Sequence, residues 1–385
     1  MKINKCISEK RCVFCALLQK NKNRVKKEYI NKKMSTLYYD MQKKRRGEMS
    51  NCIREVFLER EKQDLSEYAF LTSDTRGRDF PYTPCENRTE FQRDRDKIIH
   101  SNSFRRLMNK TQVFLAPVGD HYRTRMTHTL EVTQIARIIA RALRLNEDLT
   151  EAIAMGHDIG HTPFGHAGEF ALQQCYDPDF THYRQSLRVV EKLENNGEGL
   201  NLTWEVRDGI LNHTGKSMAS TLEGVIVKYA DRIAYINHDI DDACRAGILK
   251  IEDIPAWIRE VIGDGHSQRI NSLVTSLIKA STDSAVITLE DEVDKAMTAL
   301  REFLFERVYR NPVAKSEEGK AKELLIRLYD YYVNNVDKMP AFYRDRCEAE
   351  GAERCACDVV AGMTDKYAIE MYSELYVPKV WRGTR

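Results

Sequence analysis

Between Met126 and Leu145 the apolar residues Leu130, Ile135, Ile138, Ile139, Ala142 and Leu143 recur at helical spacing, and this pattern constrains the chain most. A stripe of that period has to be buried against neighbours of its own kind. The chain supplies them. Asn146-Glu147-Asp148 offers cap-type residues before a second helix, which ends at His157-Asp158. Ser220-Thr221-Leu222-Glu223 has capping-box form and opens a third helix running to about Ala246. Residues 51–70, 91–108 and 184–194 also read as helices, and residues 111–117 as a short strand or a turn. After Pro255 the pattern is again mostly helical, interrupted at 263–265 and at Asn311-Pro312. Strand-type alternation is scarce, so the expected fold is mainly α, a helical bundle with additional C-terminal helices.

The chemistry is concentrated. Nine of the ten histidines lie between 100 and 238, and residues 154–169 alone hold three of them with an Asp and a Glu. That stretch runs from the end of the second helix into a loop broken by Gly160, Pro163 and Gly165. Two partners come from the neighbouring helices: His128 at the start of the first and Asp231 in the middle of the third. His128, His157, Asp158 and Asp231 form a mixed nitrogen and oxygen set. Such ligands suit Mn²⁺, Fe²⁺, Ni²⁺, Co²⁺ or Zn²⁺ and are less typical of a pure Mg²⁺ site, where oxygen dominates. Singly these residues say little, since a lone histidine at a helix start is usually structural. Together, on three successive helices, they point to a metal centre.

The order His128, His157-Asp158, Asp231 resembles the metal signature of the HD superfamily of phosphohydrolases. Residues 91–96, Phe104-Arg105-Arg106-Leu107, residues 121–128, the 156–169 stretch and Asp231-Arg232-Ile233-Ala234-Tyr235 resemble its deoxynucleoside triphosphate triphosphohydrolase (dGTPase-like) branch. Gly362-Met363-Thr364-Asp365-Lys366-Tyr367-Ala368 is similar to that branch's C-terminal segment, and the likeness runs from about residue 50 to the end. It implies an HD-domain bundle that splits a dNTP, dGTP by default, into a deoxynucleoside and tripolyphosphate, with a divalent ion, Mn²⁺ or Mg²⁺ foremost. It also implies a homo-oligomer and a dNTP activator.

The resemblance carries roles residue by residue. His166 becomes the general acid for the departing 5′-oxygen, and Glu169, three residues on, faces it across one helical turn. His161 and His182 become further pocket histidines. At His182-Tyr183-Arg184-Gln185-Ser186 the chain departs from the family, which has Asn after the His, and this puts the local loop contacts in question. Arg125 and Arg232 fall on the phosphates, with Arg123 a weaker third, and Gln112, Tyr235 and Asp239 on the sugar. Asp231, Tyr235, His238 and Asp239 share one helical stripe, while His238, Asp241 and Asp242 read as solvated or intrahelical. An aromatic wall under the ribose leaves no room for a 2′-hydroxyl.

Charge narrows the alternatives. Residues 1–48 carry 15 Lys and Arg against 4 Asp and Glu, whereas the rest carries 45 against 54. An acidic body offers little bulk attraction to nucleic acid, so a bound polyanion needs a local pocket. The basic leader reads as a solvated tail or an over-extended start ahead of Met49, with nucleic-acid contact a minor reading. From 49 to 385 we expect one unit, with its HD core at about 121–246 and a C-terminal helical part at 247–385. No apolar run approaches the roughly 18–20 residues of a membrane span. The ten scattered cysteines, Cys12-x-x-Cys15 and Cys355-x-Cys357 included, read as reduced thiols of a cytoplasmic protein. Two other readings compete: an HD phosphohydrolase for a different nucleotide, and a nucleic-acid-binding regulatory protein with a vestigial site.

Overall fold

The structure is a computed structural model that describes residues 52–112, 123–310 and 317–379. The chain divides into two units, Met1–Val56 and Phe57–Arg385. The 1–48 leader, Cys12 and Cys15, His121 and the Asn311-Pro312 break lie outside the described residues, as does most of 111–117. The first helices are α1 (Ile53–Asp64), α2 (Glu90–Ile99) and α3 (Asn102–Arg106). The central ones are α4 (Arg125–Ala142), α5 (Glu147–Gly156), α6 (His166–Cys175), α7 (His182–Arg188), α8 (Trp204–Asn212) and α9 (Leu222–Arg245). There follow α10 (Ala256–Ile262), α11 (His266–Ser281), α12 (Asp291–Leu304) and α13 (Glu318–Asn334). The last are α14 (Ala341–Arg344), α15 (Cys347–Glu350), α16 (Ala352–Ala361) and α17 (Asp365–Tyr376). Among the described residues the one β contact is an isolated antiparallel bridge between Thr111 and Thr124.

Caps set the three helices that matter most. The Thr124, Asn146 and Thr221 side chains accept the backbone N–H groups of Thr127, Leu149 and Gly224 at the starts of α4, α5 and α9. These helices pack on one another, and α2 covers α5. Leu149, Ala152, Ile153 and Ala154 of α5 are fully buried. At roughly 1.5–3 kcal/mol for each large aliphatic side chain, such burial fixes where α5 ends, and with it His157.

Several sequence expectations need correction. The 51–70 helix stops at Asp64, because the chain folds back and Thr72 gives its N–H and hydroxyl to Glu61 at 2.8 and 2.7 Å. The 91–108 helix is two, since the Ser101 hydroxyl accepts the Phe104 N–H and starts a new one. Residues 184–194 become α7 followed by a π-turn over Val189–Leu193. The 220–223 capping box does not form. Thr221 is the cap, and Glu223 instead accepts the N–H groups of Phe70 and Asn146, each at 3.0 Å.

Two apolar cores result. The larger gathers residues of α2, α4, α5, α8 and α9 with α10, α11 and α12. The smaller joins α6 to α13, α16 and α17, through Phe164, Ala171, Leu172, Leu325, Leu328 and Val360 among others. The 157–165 segment crosses from the first to the second.

Candidate metal centre and pocket

His128 lies on the buried stripe of α4 that also carries Val132, Ile135, Ala136 and Ile139. His157 is the residue at which α5 ends, and Asp158 follows in the turn. His128 Nε2 stands 3.0 Å from Asp231 Oδ1. His157 Nε2 is 3.7 Å from Asp158 Oδ2 and 3.9 Å from Asp231 Oδ1. The ligand atoms of His128, His157 and Asp158 all lie within 4.8 Å of one another. His157 donates Nδ1–H to the Ala154 carbonyl at 2.7 Å, which leaves Nε2 with its lone pair directed inward, buried and without a protein partner. A bare imidazole nitrogen facing two carboxylates and a second imidazole fits a divalent ion.

Electrostatics keep these carboxylates charged. Burial pushes Asp158 up, but Arg125 and the neighbouring imidazoles outweigh it and hold the carboxyl well below its usual range. Asp231 is lowered to about 2, the His128 hydrogen bond overcoming burial. Arg125 itself is buried, with Nη1 on Asp158 Oδ2 at 2.6 Å and Nη2 facing the Gln112 carbonyl at 3.4 Å. It therefore spends part of its fork on a ligand carboxylate. Arg123 turns to Glu131 at 3.2 Å, Asp242 at 3.4 Å and Asp241 at 3.7 Å. Arg232 sits beside the Tyr229 ring, 5.9 Å from its centroid.

A second group of side chains stands next to the first. His166 and Glu169 open α6, with Nδ1 3.4 Å from Oε2; the His166 side chain is 74% exposed and that of Glu169 11%. His182 reaches the same carboxylate, its Nδ1 3.2 Å from Oε2 and its backbone N–H on Oε1 at 3.0 Å. Burial works against the Glu169 charge, but the two histidines hold its carboxyl far below the usual range. Burial lowers His182, and Glu169 more than compensates and raises it. His161 stacks on His182 at 4.4 Å, and burial followed by Arg125 drives it well down to the neutral form.

The α9 stripe holds further along. Tyr235 is half-buried, its phenol pushed up to about 12 by burial and Asp231. Asp239 is buried and takes the Tyr309 hydroxyl, and burial with Asp242 and Asp231 raises its carboxyl well above the usual range. Gln112 Oε1, Asp239 Oδ1 and His161 Nδ1 are buried without a protein partner, as His157 Nε2 is. Buried polar atoms are rarely left so.

One expectation fails, and two residues escaped the sequence reading. His238 is not solvated: it is 1% exposed, its Nδ1 3.5 Å from His128 Nδ1 and its Nε2 3.0 Å from Glu131 Oε2. His213 ends α8 as His157 ends α5, with Nδ1 on the Ile210 carbonyl at 2.7 Å. Its ring lies 5.0 Å from His157 and 5.4 Å from His182, and burial lowers it to about 3. The shared position three residues after a free helix carbonyl was the signal available for it. Tyr309 offered no signal, because a π-turn over Phe305–Tyr309 brings it in.

Comparison with known proteins follows from this geometry. The HD domain family matches residues 125–236, and a phosphohydrolase-associated domain matches 287–374. A deoxyguanosinetriphosphate triphosphohydrolase-like protein of Caldanaerobacter subterraneus subsp. tengcongensis is 54% identical over 329 residues, spanning 86% of this chain and 97% of its own. Proteins of the same description from Desulfatibacillum aliphaticivorans and Clostridium perfringens are 49% and 48% identical, each over 85% of this chain and 98% of theirs. A phosphohydrolase crystal structure from Bacteroides thetaiotaomicron is similar with a TM-score of 0.47 and 17% identity, over 73% of this chain and 69% of that one.

Proposed function

Because this chain belongs to the deoxyguanosinetriphosphate triphosphohydrolase-like family of HD-domain proteins, we propose that it hydrolyses deoxynucleoside triphosphates, dGTP first among them, to a deoxynucleoside and tripolyphosphate. His128, His157, Asp158 and Asp231 are the residues that would hold a divalent ion, Mn²⁺ or Mg²⁺ foremost and Fe²⁺, Co²⁺, Ni²⁺ or Zn²⁺ as further choices. When bound, such an ion supplies Lewis-acid polarisation of a phosphate oxygen and activation of water.

The protein's own groups account for the rest. Water oxygen bonds to the α-phosphorus, the bond from phosphorus to the 5′-oxygen breaks, and the leaving oxygen takes a proton from His166; the proton shed by the attacking water goes to solvent, from which the exposed His166 is reprotonated. Glu169 orients that imidazole and is itself held by His182, while His161 walls the pocket. Arg232 and the part of the Arg125 fork not bound to Asp158 face the triphosphate, where a planar guanidinium matches oxygen pairs. Tyr235, Gln112 and Asp239 take the sugar, Asp239 on the 3′-hydroxyl. In the same reading an HD core over about 121–246 is followed by a C-terminal helical part, and the assembly is a dNTP-activated homo-oligomer. Free thiols at Cys85, Cys175, Cys244, Cys347, Cys355 and Cys357 suit a cytoplasmic location.

The observation that carries this reading is the buried, unpartnered His157 Nε2 facing His128, Asp158 and Asp231. Phosphorus NMR of the products from each dNTP with Mn²⁺ tests it, with His157→Ala as control. Tripolyphosphate that disappears in the variant is expected. Orthophosphate or pyrophosphate as first product would refute the reaction, and turnover that survives in the variant would refute the ligand assignment.

A further inference from the structure

The segment Gly362–Ala368, part of the sequence likeness, contributes no group to the pocket, yet it is wired to it. Three stretches meet behind the His166 loop: 110–112, 161–165 and 361–365. Asp365, the first residue of α17, accepts the Thr111 N–H at 2.9 Å and the Thr111 hydroxyl on one oxygen. Its other oxygen accepts the Phe164 N–H at 2.9 Å. Lys110, 3% exposed, donates to the carbonyls of His161 and Ala361, the latter at 2.9 Å.

The loop needs holding. Phe164 and Gly165 both have positive φ, 61° and 59°. A bulky residue in that region persists only where its surroundings over-determine it. The loop also lies flush against its neighbours: a β-carbon at Gly165 would meet the Arg125 guanidinium at 3.3 Å and the Gln112 carbonyl at 3.5 Å. His166 follows directly, on a helix that belongs to the smaller core, whereas His128 and Asp231 sit on helices of the larger one.

We propose that Asp365, seconded by Lys110, is a positioning residue. It sets the Phe164–His166 turn against the Thr111–Gln112 strip, so that the proton donor from one core is in register with the metal ligands from the other. This rests on the reading of His166 as the acid. Asp365 acts through the Phe164 and Thr111 N–H groups and touches no reacting atom.

The test combines hydrogen exchange, kinetics and Mn²⁺ binding on the full chain. In Asp365→Ala, exchange at residues 161–168 and 109–112 rises about tenfold or more. The kcat falls about 10²-fold, the cost of a misplacement of about 1 Å, while Mn²⁺ affinity stays within about twofold because His128 and Asp231 stand on α4 and α9 and His157-Asp158 directly follow α5, ahead of the Phe164–His166 turn. Asp365→Asn retains a neutral acceptor and recovers roughly tenfold of the kcat. Thr111→Val, which removes only the hydroxyl, shifts exchange and kcat the same way by less and covers the case of an unfolded alanine variant. Unchanged exchange in the variants overturns the proposal, as does a kcat loss matched by an equal loss of Mn²⁺ affinity. His166→Ala tells the two ideas apart: full turnover in that variant refutes the acid assignment, whereas normal exchange in Asp365→Ala refutes the clamp.

Discussion

His182 Nδ1 lies 3.2 Å from Glu169 Oε2, nearer than His166 Nδ1 at 3.4 Å, so the carboxylate beside the proposed acid His166 is shared with a second, more deeply buried imidazole. That sharing ties stability to pH. The folded His182 binds its proton more tightly than an unfolded histidine, through Glu169. Its contribution is therefore complete below the unfolded value of about 6.5 and is lost as pH rises through the higher folded value. Removing the charge in Glu169→Gln should cost the metal-free protein about 3 kcal/mol at pH 5.5, and clearly less at pH 8.5. Urea unfolding at the two pH values checks this. An equal cost at both would mean that the charge of His182 does not change between them.

His238 and Glu131 form a chain behind the proposed metal ligand His128. A ligand His128 that uses Nε2 must keep its proton on Nδ1, which donates to His238 Nδ1; His238 then donates Nε2–H to Glu131. Outer partners of this kind are typically worth 10–100-fold in metal affinity. His238→Ala is expected to weaken Mn²⁺ binding about tenfold or more by that rule, read by titration calorimetry. Glu131→Gln should act in the same direction and less strongly. Affinity equal to wild type in both would remove the chain from the site.

The Tyr309 hydroxyl on Asp239 joins the π-turn after α12 to the part of α9 proposed to take the sugar. Tyr309→Phe leaves a buried carboxyl with one partner fewer, a loss of about 1–3 kcal/mol. We expect KM for dGTP to rise roughly tenfold on that scale with kcat nearly unchanged. Steady-state kinetics decide, and a fall in kcat alone would instead place Tyr309 in the chemical step.

Glu223 is buried away from the pocket, and burial pushes its carboxyl up to about 7. An acid raised in this way binds its proton more tightly when folded, so its effect on stability worsens from about pH 4.5 to about 7. Both N–H groups it accepts use Oε1, while Oε2 has no partner. Glu223→Gln keeps that acceptor, so at pH 8 it should stabilise the protein by about 1 kcal/mol or be neutral. A melting temperature several degrees lower would contradict this. Glu223→Ala, which strands both N–H groups, should be clearly destabilising at every pH.

Much of the centre was legible in the chain. Helical periodicity and the Asn146 cap placed α5 closely, and periodicity placed α9 although its cap is Thr221 and not Ser220, because helix formation is local. The position of His157-Asp158 at a helix end, with His128 and Asp231 on neighbouring helices, marked the proposed ligand set. Helix breaks were read less well. Glu61 and Glu223 hold distant backbone N–H groups, and no local pattern shows where a buried carboxylate will find its partner.

What the sequence determined by itself was thus a mainly α bundle and four residues able to meet in it. The packing of α6 on α13 in the smaller core was decided only in three dimensions. So were the turn of Arg125 toward Asp158, the burial of His238 against His128, and the lacing of Lys110 and Asp365 across segments far apart in the chain. The physical reason is the same throughout. A helix is written in residues three and four apart, whereas a buried charge or an unpaired N–H is satisfied by whichever partner the whole fold brings within about 3 Å.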